Sequence, residues 1–177
     1  MSILERYCNK STHIKNAIVQ DECIQIYSKI NSRNSPISFV TFKFNHDQTS
    51  IVINTVGKSN ETPFSEFTNS FTNNEVAWGL INIEYQTTSK GMRSKLLFIT
   101  WVPDDMQLSS FKETIKMKTQ AIVEGRRLRK EYFRSFDSVV QANDFDEISL
   151  DYLLSKASKH ERDEIDRQSV DVMNCVH

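Results

Sequence analysis

The chain is predicted to fold as a single α/β domain of the α+β type, a central mixed β-sheet flanked by helices. Three observations carry that expectation. Five short segments are rich in β-branched and aromatic residues and are bounded by turn formers, as strands are. Helical periodicity occurs before, between and after them rather than in strict alternation. Glycine and proline are scarce, 4 and 3 in 177 residues, so no long flexible linker divides the chain and one core is expected.

Residues 1 to 17 have weak periodicity and read as an N-terminal extension. From Val19 to Ile30, the residues Cys23, Ile26, Tyr27 and Ile30 fall at i, i+3, i+4 and i+7, the spacing of one helix face. Asn31 to Pro36 is a loop by its turn residues. Ile37–Phe44 and Ser50–Val56 read as two strands of a hairpin, joined by Asn45-His46-Asp47-Gln48. Pro63 opens a short helix through Phe64, Phe67 and Phe71. Glu75–Tyr85 is the third strand and Lys95–Trp101 the fourth. Pro103 lacks an amide donor, so that strand must end by Trp101 or Val102.

Ser110 and Glu113 then form a capping box that opens a long helix, residues 110 to 134. Phe111, Ile115 and Ile122, with Met117, Ala121, Leu128 and Tyr132, are expected to form its apolar stripe. Lys112, Lys116, Thr119, Val123, Arg127, Lys130 and Arg134 step by threes and fours along another face. Gly125 is expected to mark a bend. Phe136–Gln141 is a fifth strand. Asp144 and Glu147 cap a last helix that turns Ile148, Tyr152 and Leu153 toward the core. Residues 159 to 177 read as a tail, expected to be partly disordered.

The formal charge of −1 conceals a polar distribution. Residues 111 to 134 carry eight bases and three acids, whereas residues 136 to 177 carry ten acids and four bases. Such polarity points to a local anionic partner and away from a general nucleic-acid binder. Cys8, Cys23 and Cys175 are scattered without C-x-x-C spacing, which suits a reducing, cytoplasmic compartment. No apolar run approaches a transmembrane span. The four histidines (His13, His46, His160, His177) lack the H-E-x-x-H spacing of a metal site. No G-x-S-x-G or Walker A pattern is present, and with 4 glycines a phosphate-cradling loop is nearly excluded. The expectation is a protein without cofactor or metal, and not an enzyme.

Arg93-Ser94-Lys95 runs into Leu96-Leu97-Phe98-Ile99-Thr100-Trp101, then a Pro-Asp turn and the basic helix. Together with Phe39-Val40-Thr41-Phe42-Lys43-Phe44 and Glu147-Ile148-Ser149-Leu150-Asp151-Tyr152, this order resembles the actin-depolymerising-factor homology (ADF/cofilin) family, and within it coactosin. The resemblance covers roughly residues 19 to 158 and implies one ADF-homology domain over residues 18–158, its sheet sandwiched between helices. It implies a monomeric actin-binding protein of the actin cytoskeleton, preferring filaments and opposing barbed-end capping. Lys95 matches the basic residue that coactosins use on filaments, with Arg93 two residues before it on the same strand face. Lys112 and Lys116 begin the helix that this family inserts into actin. Lys118, Arg126 and Arg127 extend the basic surface, although a solvated helix face explains Lys118 equally well. The alternative is a scaffold module in which Arg126, Arg127 and Lys130 grip a phosphoinositide headgroup or an acidic protein. Two departures are the cofilin-like Val102-Pro103-Asp104 turn and the long N-terminal extension, so cofilin-style severing and control through an N-terminal serine are not carried over.

Overall fold

The computed structural model describes residues 16–87 and 91–158. The expected features at residues 1–15 and 159–177 lie outside the described residues. In chain order the elements are β1 (Ile18–Val19), α1 (Asp21–Ile30), β2 (Ile37–Phe44), β3 (Ser50–Lys58), α2 (Phe64–Asn69), β4 (Ala77–Thr87), β5 (Gly91–Trp101), α3 (Phe111–Arg127), β6 (Ser138–Ala142) and α4 (Leu150–Ala157). The strands form one six-stranded sheet in the order β1-β3-β2-β4-β5-β6. The two edge strands, β1 and β6, run parallel to their neighbours and the inner pairings are antiparallel. The mixed sheet flanked by helices is therefore the observed fold.

Alternation along each strand divides the core into two layers. Trp78, Leu80, Leu96 and Phe98 point to the face covered by α1 and α3, where Cys23, Ile30, Ala121, Leu128 and Phe133 meet them. Ala77, Ile81, Ile83, Leu97, Ile99 and Trp101 point to the other face, under Phe67 and Phe71 of the α2 region and Leu153 and Leu154 of α4. Trp78 and Trp101 are fully buried, one in each layer. Trp101 donates from Nε1 to the Thr72 carbonyl at 2.7 Å, so its polar atom is satisfied inside.

Element boundaries moved where pairing, rather than local pattern, decides them. β1 lies just before α1 and its second residue, Val19, falls at the start of the predicted helix, because two residues carry no period and their partner is 32 residues away. The hairpin arm Gly91–Ser94 extends β5 beyond the apolar run, since Arg93 pairs with Tyr85 and Gly91 with Thr87 on β4. Asp144 caps a 3-10 turn, Phe145–Ile148, while Ser149 caps α4 by accepting from the Tyr152 amide at 3.4 Å.

α3 stays α-helical through Gly125 to Arg127 and then widens into a π-helical turn, Leu128–Tyr132. The glycine is needed for close approach. A Cβ there would stand 2.8 Å from Thr100 Oγ1 and 3.1 Å from Trp78 Nε1. The same indole nitrogen donates to the Ala121 carbonyl at 3.1 Å, which ties the helix to the sheet one turn earlier. Gly125→Ala would gain about 1 kcal/mol of helix propensity and lose about 1–3 kcal/mol to overpacking. The variant is expected to melt lower than wild type by calorimetry, and a higher melting temperature would mean that the contact relaxes freely.

Cys23 is fully buried beneath β3, its Sγ 3.5 Å from the Ile51 carbonyl. Burial, with the neighbouring Glu22 charge, pushes the thiol up to about 11. Because the thiolate is the reactive form, Cys23 in a Cys8→Ser/Cys175→Ser background should resist a disulfide reagent at pH 8 until the protein unfolds. Prompt modification of the folded protein would contradict that placement.

Candidate functional site

The site is built from β5 and α3. The turn between them is held to β6, as Val102 and Asp104 donate to the carbonyls of Ala142 and Asn143 at 2.9 and 3.0 Å. Ser110 caps α3, accepting from the Glu113 amide at 3.2 Å. The Glu113 carboxylate bonds the Ser109 hydroxyl rather than completing the expected box at the Ser110 amide.

Helix α3 runs antiparallel to β5, and its contacts give the registration. Gly125 sits at Thr100, and the Arg129 guanidinium lies over the Phe98 ring, 5.8 Å from its centroid. Counting back at 1.5 Å per residue, Phe111 to Lys116 lie roughly 14–21 Å beyond Thr100. The first turns of α3 therefore overhang the end of the sheet. The loop beneath supports them, through Lys118 Nζ to the Asp104 carbonyl at 2.8 Å and the Leu108 amide to Thr114 Oγ1 at 3.0 Å.

This overhang corrects the start of the predicted apolar stripe. Phe111 is 78% exposed, and Ile115 and Ile122 are only half-buried. The rest of the stripe holds, with Ala121 and Leu128 in the core and Met117, Ile122 and Tyr132 packed against it; Thr114, Thr119, Gln120, Glu124 and Gly125 are buried as well.

The candidate cations fall into distinct environments. Lys112 and Lys116 are exposed on the overhang, and Arg126 is exposed farther along the helix. Lys118 is half-buried and holds the loop. Arg93 is exposed on the hairpin arm, and Lys95 is half-buried with its ammonium 3.4 Å from Asp137 Oδ1. Asp137 is itself fixed by accepting from the Leu96 amide at 2.8 Å. A pair this exposed contributes about 0–1 kcal/mol, so Lys95 can exchange partners cheaply.

Arg127 belongs to the interior. Its guanidinium is 2.7 Å from Glu124 Oε2, with Glu124 fully buried, and also contacts the Ala17 carbonyl and the Tyr132 hydroxyl. Burial works against its charge, but the hydrogen bonds and attraction of Glu124 and Tyr132 outweigh it and raise its pKa above the usual arginine value. This pairing removes one of the three groups on which the phosphoinositide alternative depended.

Lys95 does not meet Lys112 and Lys116. From the Thr100–Gly125 contact the two sets lie in opposite directions, roughly 35 Å apart by rise per residue. Arg93 and Lys95 alternate with Leu97 toward the α4 face, whereas α3 covers the other. Phe111 and Glu124 were missed as site residues. The ring was absorbed into a helical stripe, although its place at the first turn after a long loop signals overhang. Glu124 falls with Met117, Ala121 and Leu128 at core spacing, a signal that counting charges conceals.

Among the described residues no group of three or more His, Cys, Asp and Glu could hold a metal, and no helix is long and apolar enough to cross a membrane. The β5–α3 unit thus carries an exposed aromatic ring with two exposed lysines at one end and a basic hairpin at the other. Residues 16–158 match the model of the cofilin/tropomyosin-type actin-binding proteins, and the chain belongs to that family. Its fold and family make it an actin-binding domain of the ADF/cofilin type, a class of binding proteins and not of enzymes.

The chain is 30% identical to actophorin of Acanthamoeba castellanii over 147 residues, covering 80% of this chain and 94% of the relative. It is 25% identical to the cofilin of Yarrowia lipolytica over 160 residues, with 86% and 94% covered. Among solved structures it is similar to a cofilin of Streptomyces griseoflavus (TM-score 0.64, 23% identity, 81% of this chain and 98% of that one). It is equally similar to human coactosin-like protein (TM-score 0.63, 22% identity, 81% and 98% covered).

Because Phe111 is so exposed, Phe111→Ala should change folding stability by no more than about 0.5 kcal/mol. Urea denaturation checks this, and a loss above about 2 kcal/mol would mean that the ring is packed in solution.

Proposed function

We propose that this chain is a monomeric, filament-binding regulator of actin of the coactosin type, acting in the cytoplasmic actin cytoskeleton and opposing barbed-end capping. The overhang of α3 carries the reading. An exposed ring beside Lys112 and Lys116 offers apolar area to bury and charge to steer toward an acidic protein. Arg93 and Lys95 form a second contact on the opposite face, with Arg126 a peripheral cation. Two contacts roughly 35 Å apart suit neighbouring subunits of a polymer better than one site on a single small partner. Lys118 serves the loop, and Arg127 serves the interior.

Co-sedimentation with actin filaments over a salt series, beside a monomer-binding assay, tests this. Wild type should pellet with filaments and release as salt rises. Phe111→Ala and Lys112→Ala/Lys116→Ala should weaken both monomer and filament binding about tenfold, equivalent to roughly 1.4 kcal/mol. Arg93→Ala/Lys95→Ala should weaken filament binding alone. Equal loss of monomer binding in the hairpin variant would overturn the two-contact arrangement, and absence of pelleting by wild type at low salt would overturn the function. With filaments bound, elongation in the presence of a barbed-end capping protein should persist longer than without this protein; unchanged arrest would remove the anti-capping activity.

A further inference from the structure

Ala17 is buried, and both of its backbone groups are taken by side chains of the last turn of α3. Its amide donates to Glu124 Oε1 at 2.7 Å, and its carbonyl accepts from Arg127 Nη2 at 2.5 Å. The second carboxylate oxygen of Glu124 accepts from Arg127 Nε at 2.8 Å. The Tyr132 ring lies 5.5 Å from the guanidinium carbon, and Glu131 stands 3.6 Å from Nη1.

In an extended chain successive residues present their amide and carbonyl to opposite edges. The Ile18 amide is bonded to the Thr49 carbonyl at 2.8 Å, on the β3 side, so Ala17 faces the outer edge. There the ion pair occupies the place of a missing neighbouring strand, donating and accepting as a strand would. A strand of two residues paired on one side alone is weak, and charge-assisted hydrogen bonds are the strong kind.

We propose that Glu124 and Arg127 form a polar clamp that fastens the N-terminal segment to α3, making both of them positioning residues for the docking surface. Through the clamp, the point at which the preceding chain joins the domain is fixed to the same rigid helix that carries Phe111, Lys112 and Lys116 at its other end. Arg127 acts on a partner only by way of this attachment. The link to docking rests on the actin reading; the attachment itself does not.

Hydrogen exchange on the full chain tests the attachment without actin. In Glu124→Gln and in Arg127→Met, the amides of Ala17, Ile18 and Gln20 should exchange about tenfold faster or more, while Leu80 and Phe98 in the central strands keep their protection. Unchanged exchange at 17–20 in both variants would overturn the clamp. Should a single variant lose protection everywhere, the double variant, which leaves no unpaired buried charge, restores the central strands. It should still show the selective loss, and full protection at 17–20 in it would overturn the clamp.

Filament pelleting separates a clamp from direct docking by Arg127. A clamp requires that removing an acid and removing a base weaken binding in the same direction, by a similar factor and with the salt slope preserved. Tighter binding by Glu124→Gln beside weaker binding by Arg127→Met would make Arg127 a direct docking cation and overturn the proposal. If wild type does not pellet at all, the actin reading falls and the exchange result alone decides the clamp.

Discussion

The rest of the structure depends on how closely α3 approaches the sheet at Gly125. The Trp78 indole reaches up to the Ala121 carbonyl at 3.1 Å, and the space a Cβ would need at Gly125 is held by Thr100 and that same indole. A helix so tethered cannot slide or rotate without breaking a buried hydrogen bond or opening a void, and interiors tolerate neither well. The place of every other α3 residue follows. At 1.5 Å per residue, Phe111 is carried beyond the sheet, Glu124 is turned toward Ala17, and Leu128 is brought into the layer with Phe98 and Phe133.

The same constraint sorts the charges of one helix into two kinds. Glu124 and Arg127 are drawn inside, where each compensates the other and the chain's own backbone supplies the remaining partners. Desolvation of such a pair offsets much of its attraction, but removing one member leaves a buried charge and costs about 3–5 kcal/mol. Lys112, Lys116 and Arg126 remain outside, hydrated and unconstrained, where attraction acts on encounter more than on folding. A net charge over residues 111 to 134 averages these two populations and describes neither.

Similarity to actophorin and to cofilins, with solved neighbours of both cofilin and coactosin type, spans the sheet, the helices and their order. Within that frame the two basic regions are joined mechanically rather than spatially. The β5–α3 unit is a stiff lever: hairpin arm, tethered midpoint, overhanging helix start. Under the proposed two-contact reading, docking at both ends would depend on the midpoint formed by Gly125 and Trp78, which lies at neither contact.

Much of the fold was legible because its signals are local. Runs of β-branched, aromatic and other apolar residues in Ile37–Phe44 and Leu96–Trp101, the Asn45–Gln48 turn, Pro103 and the Ser110 cap each act over a few residues, so they mark strands and helices without knowledge of what packs on them. The family resemblance rested on the same segments and led to the right family. What the chain alone did not disclose are features set by partners distant in sequence. β1 exists only because Ser50 and Ile51 offer an edge, and Gly125 is required by the close approach of Thr100 and Trp78. Phe111 is exposed because β5 ends before the helix begins to need it, and Arg127 is internal because Glu124 and Ala17, 107 residues apart, converge on it. The sequence by itself determined the elements, their order and the family; the tertiary structure alone decided which cations stay exposed and which are drawn inside. The reason is physical: periodicity records which face of a helix is apolar, but not how far the helix overhangs or which charge finds its counterion within.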